Sequence, residues 1–68
     1  MKIIYDRETD TLSLIFREDK VAESDEVKDG IIIDYDTEGH IVSIEVMDAS
    51  EHTTEPLSMV YEVKEVTT

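Results

Sequence analysis

The sequence has no cysteine, only two glycines and one proline, and six basic residues against eighteen acidic ones. Each shortage removes a class of protein. Without cysteine there are no disulfides and no thiolate zinc sites, and His40 and His52 are too far apart to form a ligand-spaced pair. With Gly30 and Gly39 alone, phosphate-cradling loops and dinucleotide fingerprints are excluded. No apolar run approaches membrane-spanning length, and the opening Met1, Lys2, Ile3, Ile4, Tyr5, Asp6 has no signal-peptide hydrophobic region. These features and the absence of cysteine point to the cytoplasm. The formal net charge of −12 repels nucleic acid and anionic lipid, so neither is expected as a partner.

The 68 residues have room for one domain, 1–68, whose stability margin is thin and must rest on packing and strand pairing. High charge alone would suggest disorder, but 40% of the residues are apolar and they are patterned. The acidic excess has two readings. One is solubility or adaptation to a salty cytoplasm, toward which seven threonines and four lysines lean. The other is attraction to a basic protein partner.

Apolar residues alternate at period two in consecutive short segments, which predicts a mainly β fold: a small antiparallel sheet of hairpins with five to six strands. Lys2 to Tyr5 and Thr11 to Phe16 form the first hairpin around the polar turn at 6–10. Val21 to Val27 reads as an exposed edge whose carboxylates block unwanted pairing. Asp29 and Gly30 break the chain before Ile31 to Tyr35, the strongest β signal, expected at the centre of the sheet. Gly39 supplies the left-handed residue of the next hairpin, leading to Ile41 to Met47. Register should set Ile31, Ile33 and Tyr35 beside Val42, Ile44 and Val46. A short helical turn is expected near residues 49–54, capped by Asp48 or Ser50 with Glu51 in its first turn. After Pro56, residues 57–66 read as strand or helix, with valine and tyrosine favouring a final strand.

Four pieces of sequence carry a resemblance. They are Lys2, Ile3, Ile4, Tyr5, Asp6; Asp10 followed by Leu12; Asp34, Tyr35, Asp36, Thr37, Glu38, Gly39; and Ile44, Glu45, Val46, Met47, Asp48, Ala49, Ser50. In order and spacing they resemble domain-of-unknown-function family 2283, a family of short prokaryotic proteins. The chain departs from it at Ser43, where glycine is usual, and at Glu51 and His52, where basic residues are usual. The resemblance implies no activity or cofactor. It implies a gene setting similar, for some members, to that of antitoxins encoded beside a small toxin-like protein.

The candidate chemistry gathers in the second half of the chain. Asp34, Asp36, Glu38, Gly39, Ile41 and Glu45 nearly match a calcium-binding EF-hand loop, making Asp34, Asp36 and Glu38 candidate metal ligands. The flanks are β-branched strands where an EF-hand needs helices, and a strand would carry Glu45 away from the loop. Asp34 and Glu45 also share a sheet face, an arrangement used for acid and base roles, although the chain is small for a deep cleft. His40 and His52 read as exposed loop residues. No serine sits in a nucleophile turn. The sequence therefore points to no enzyme and no cofactor. The leading expectation is a non-enzymatic protein-interaction module, antitoxin-like, binding a basic toxin-like partner. The alternatives are a weak calcium or metal binder using the Asp34–Glu45 hairpin and a salt-adapted structural domain. Self-association as a homodimer, through strand edges or a leftover apolar face, is compatible with the leading reading.

Overall fold

The structure is a computed structural model that describes residues 1–66. Five strands and one short helix form in the order β1 (Lys2–Asp6), β2 (Thr11–Ile15), β3 (Glu23–Lys28), β4 (Ile31–Tyr35), β5 (Ile41–Val46) and α1 (Ala49–His52). The strands make one antiparallel sheet ordered β1-β2-β5-β4-β3. The fold is thus mainly β, as the alternation requires.

Local chemistry sets the turns. Between β1 and β2 the Asp6 carboxylate accepts the amides of Glu8 and Thr9. Gly30 (φ +82°) joins β3 to β4 and Gly39 (φ +84°) lies between β4 and β5, each in the left-handed region that a side chain penalises. The connection from β2 to β3 is of another kind. β2 pairs with β5, so residues 16–22 must cross β5 and β4 to reach the far edge, about 14 Å at the usual strand spacing.

Register divides the side chains into two faces. Ile3, Leu14, Ile44, Ile33 and Asp25 form one cross-strand row, and Tyr5, Leu12, Val46, Ile31 and Lys28 the next. These rows make an apolar face that ends in charge only at β3. On the opposite face run Ile4, Ser13, Glu45, Ile32 and Glu26, and beside them Lys2, Ile15, Ser43, Asp34 and Ser24. Among the described residues only Val42 (5% exposed) and Ala49 (0%) are fully buried apolar side chains. The sheet is a single layer.

Three expectations are corrected. β5, hydrogen-bonded on both sides, holds the centre; β4, with its run of isoleucines, lies one place toward the edge. Ile31 and Ile33 pair with Val46 and Ile44 as expected, but a bulge after Asp34 sets Tyr35 opposite Ile41, leaving Val42 as the extra residue. Its carbonyl accepts the amide of Phe16 at 2.8 Å, so the bulge anchors the start of the long connection. Lastly, residues 57–66 form neither strand nor helix. An extended segment becomes a strand only by pairing its backbone, and this one does not join the free edge of β1.

Gly30→Ala tests the turn geometry. The new β-carbon would lie 3.6 Å from Met47 Cβ, an ordinary contact, so the cost is that of the left-handed backbone. Urea denaturation should show a loss of about 1–2 kcal/mol; an unchanged midpoint would mean that the turn relaxes.

Candidate functional site

The β4–β5 loop gathers the first cluster. Asp36, 8% exposed, turns its Oδ1 toward the amides of Glu38 and His40, each donating at 2.9 Å, while His40 Nδ1 lies 3.1 Å from Oδ2. Gly39 N–H donates to the Asp36 carbonyl and Asp36 N–H to that of His40, closing the loop. Burial pushes the Asp36 acid up, but the amides of His40 and Glu38 and the His40 ring outweigh it and hold the carboxyl at about 2. Ligand atoms of Asp36, Glu38 and His40 lie within 4.8 Å of one another. Arg17 also reaches Asp36, its Nη1 3.9 Å from Oδ2.

This geometry separates the candidate ligands. Asp36 and Glu38 come together and His40 joins them, whereas Asp34 stays back in β4 between Ser24 and Ser43. Glu45 lies along β5 between Ser13 and Ile32. A cation at the loop would have to compete with two backbone amides for Asp36 and would meet the Arg17 guanidinium, so the cluster has the chemistry of a closed turn. Calcium titrated into the protein should give no calorimetric heat of micromolar binding. Such heat, abolished by Asp36→Asn, would restore the loop as a metal site.

The second cluster lies in mid-sheet. Asp34, 6% exposed, sits between two serines placed by register, Ser24 on β3 and Ser43 on β5. Ser24 Oγ donates to Oδ1 at 2.5 Å and Ser43 Oγ to Oδ2 at 2.6 Å. Glu45 is the diagonal neighbour on β5. Burial acts to raise the Asp34 carboxyl, but hydrogen bonds from Ser24, Ser43 and Glu45 bring it below its ordinary value. Burial, the hydrogen bond to Asp34 and the Asp34 charge all push Glu45 up. The two acids are thus driven apart, as in acid–base pairs. The groove on this face, lined by Ile4, Thr11, Ser13 and Met47 among others, does not include either carboxyl.

A third constellation clasps the corner of the sheet. Asp10, at φ +55°, accepts Tyr5 Oη–H at 2.5 Å through Oδ1 and Ser50 Oγ–H at 2.6 Å through Oδ2. The Ser50 amide also points at this carboxylate, and the Ala49 amide donates to the Asp10 carbonyl at 2.9 Å. Asp48 occupies the position before α1, but in the left-handed conformation and with no side-chain cap bond. The first turn is therefore capped from 40 residues away. Ser50, then Tyr5, lower the Asp10 carboxyl, and Asp10 in turn raises the Tyr5 phenol.

Three of the four quoted sequence pieces meet at this clasp, and the remaining one forms the Asp36 loop. A family model described as Protein of unknown function (DUF2283) matches residues 2–50, from β1 into α1. The chain belongs to this family. No curated protein and no solved structure matches it significantly. Within this DUF2283 chain, the Ser43 hydroxyl is one of two holding Asp34. The serine pair and the remote cap escaped the sequence reading. Ser24 and Ser43 acquire meaning only from register, while Asp10 carried the weak signal of an acid just before a strand.

The Asp34 cluster gives a paired prediction. Ser43→Ala leaves a buried carboxylate oxygen short of a donor and should cost roughly 1–3 kcal/mol in urea denaturation. Glu45→Gln should act oppositely. With its folded pKa raised, Glu45 holds its proton more tightly in the folded state, so its contribution is present below the ordinary glutamate range and is lost as pH rises through the raised value. The glutamine variant should therefore melt higher than the parent at pH 7, and the difference should shrink toward pH 4. Equal melting at pH 7 would show that the carboxyls do not interact.

Proposed function

We propose that the chain is a non-enzymatic protein-interaction module of the cytoplasm, whose acidic edge strand engages a basic, toxin-like protein. The observation that carries this reading is β3. It is one of the two edge strands, all six of its residues are exposed, and it presents Glu23, Asp25 and Glu26 with Lys28 as its one basic residue. Glu18 and Asp19 precede it and Asp29 follows, all exposed.

Physical chemistry gives such an edge a selective use. The outer side of an edge strand presents unpaired backbone groups, and an extended segment of another protein can add to it as a further strand. Carboxylates repel a second acidic edge, including one from the same protein, and draw in a segment rich in lysine or arginine. Within a formal net charge of −12, this edge combines attraction with free hydrogen-bonding groups.

Two features support a binding role over catalysis. Each Asp34 oxygen is held by a serine hydroxyl, and the Asp36 carboxylate is already engaged by the loop amides. The metal-binding alternative draws on the Asp36, Glu38 and His40 cluster but must displace those amides and the nearby Arg17. A salt-adapted structural role would explain the charge without any partner and predicts stability rising steeply from low to molar salt.

Purification of the native protein from its own cells at low salt separates these readings. A basic partner should be retained, released as ionic strength rises, and lost from the triple variant Glu23→Lys, Asp25→Lys, Glu26→Lys. Recovery of free protein at low and moderate salt, or a partner indifferent to the charge reversal, would overturn the proposal.

A further inference from the structure

We propose that the apolar face of the sheet is a self-association surface, on which a second copy of this chain packs face to face. Its components are Ile3 and Tyr5, Leu12 and Leu14, Ile44 and Val46, and Ile31 and Ile33, contributed by four successive strands. Nothing in the described chain covers them completely, since none of these residues is fully buried.

The exposed area states how much is missing. The chain exposes 5646 Å², whereas a compact monomer of its mass exposes about 4,400 Å². Its radius of gyration is 13.8 Å, against about 11 Å for a compact domain of 68 residues. The excess is roughly 1,250 Å² per copy by the same scaling, and it is shared between the half-buried face and the C-terminal segment, where Leu57, Met59, Val60, Tyr61 and Val63 are each at least 60% exposed. Two copies that bury it against each other remove about 2,500 Å², inside the range of obligate homodimers.

The chain's own C-terminal segment cannot do this work. Residues 53–59 run beside β1 and β2, enclosing an open groove of about 510 Å³ with Ile3, Tyr5, Leu12 and Leu14. Farther along, Met59 and Tyr61 face Met1 and Ile3. One extended segment spans about two strands of a sheet, so the half of the face on β5 and β4 stays open even where the segment lies closest. The segment is itself unburied: Leu57, Met59, Tyr61 and Val63 are all at least 60% exposed. A second copy supplies a surface of equal width and the same apolar character, and an isologous contact needs only self-complementarity. In each protomer the segment then closes the β1 side of the interface.

Charge does not forbid the contact. The carboxylates on this face belong to Glu23 and Asp25, both on β3. A two-fold axis parallel to the strands brings β3 of each copy to the β1 side of the other, across that copy's C-terminal segment, so the acidic edges do not meet. The remaining repulsion between two highly acidic protomers is long-range and is screened by salt. Self-association should therefore tighten with ionic strength, the opposite of the dependence expected for a basic partner at the outer edge of β3.

Sedimentation equilibrium of the full chain, with circular dichroism to monitor the sheet, tests the proposal. At about 10 μM and moderate salt the parent should sediment with twice the mass of the chain, and the dimer fraction should grow as salt rises. Leu14→Asp, in the middle of the face, should give monomer. Because that change can also unfold the sheet, the decisive variant is the double change Met59→Asp, Tyr61→Asp in the unpaired segment. It should keep the β spectrum and weaken the dimer at least tenfold. A parent that stays monomeric at about 100 μM in high salt, whether its own segment folds over the face or another protein occupies it, would sink the inference. So would a dimer that survives both sets of changes.

Discussion

Everything in this fold hangs on β5 being hydrogen-bonded along both edges while its side chains alternate between two unlike surroundings. On one side Ile44 and Val46 continue apolar rows that run across the sheet. On the other, Ser43 and Glu45 sit in rows that also carry Asp34, Ser13 and Ser24. A slip of one residue at β5 would exchange the two sets across the middle of the sheet and bring Ser43 and the Glu45 carboxylate into the apolar rows. The bulge at Val42 belongs to the same constraint. It absorbs one residue where the chain leaves the loop, so that the rows beyond it stay in phase.

Much of this was legible in the sequence because period two is a strong signal in short strands. The first hairpin, the acidic edge and the positive-φ glycines follow from local chemistry, and the helical turn at Ala49 lies within the expected stretch, although its cap comes from Asp10, 40 residues away. Strand order was not legible, because β2 meets β5 across about 30 residues and no local feature records that choice. The isoleucine run in β4 suggests the centre, yet only Ile31 and Ile33 face the apolar side; Ile32 opposes Glu45 and Glu26. The final strand was over-read for a related reason. Alternation in Leu57, Met59, Tyr61 and Val63 describes which side chains would share a face, but it supplies no partner for the backbone.

The candidate site was legible in its residue types and less so in its groupings. Asp34, Asp36 and Glu38 look equivalent in sequence, two residues apart. Asp34 is still in β4, held between serines of the two neighbouring strands, whereas Asp36 lies past the strand end, where the loop turns it back onto its own amides. The outcome is two separate carboxylate clusters, each satisfied by donors the spacing did not reveal. The sequence pieces by which the chain resembles its family find their place in the same way. Tyr5, Asp10 and Ser50 form a corner clasp, and Asp36 to Gly39 form a turn, so in this chain those pieces account for architecture.

The Asp10 clasp also bears on how the chain reaches its fold. Two local units can form early, the β1–β2 hairpin and the β3–β4–β5 meander, since each is built from neighbours in sequence. Joining them requires β2 to find β5, and the loop closed by that encounter places the main entropic barrier at one seam. The bonds from Ser50 to Asp10 lie at the end of that seam, 40 residues apart in sequence. Their geometry exists only after the two units have docked in the right register, so the clasp acts as a latch on a completed assembly. A chain that docks its halves out of register has no partner for that carboxylate and is free to separate and search again.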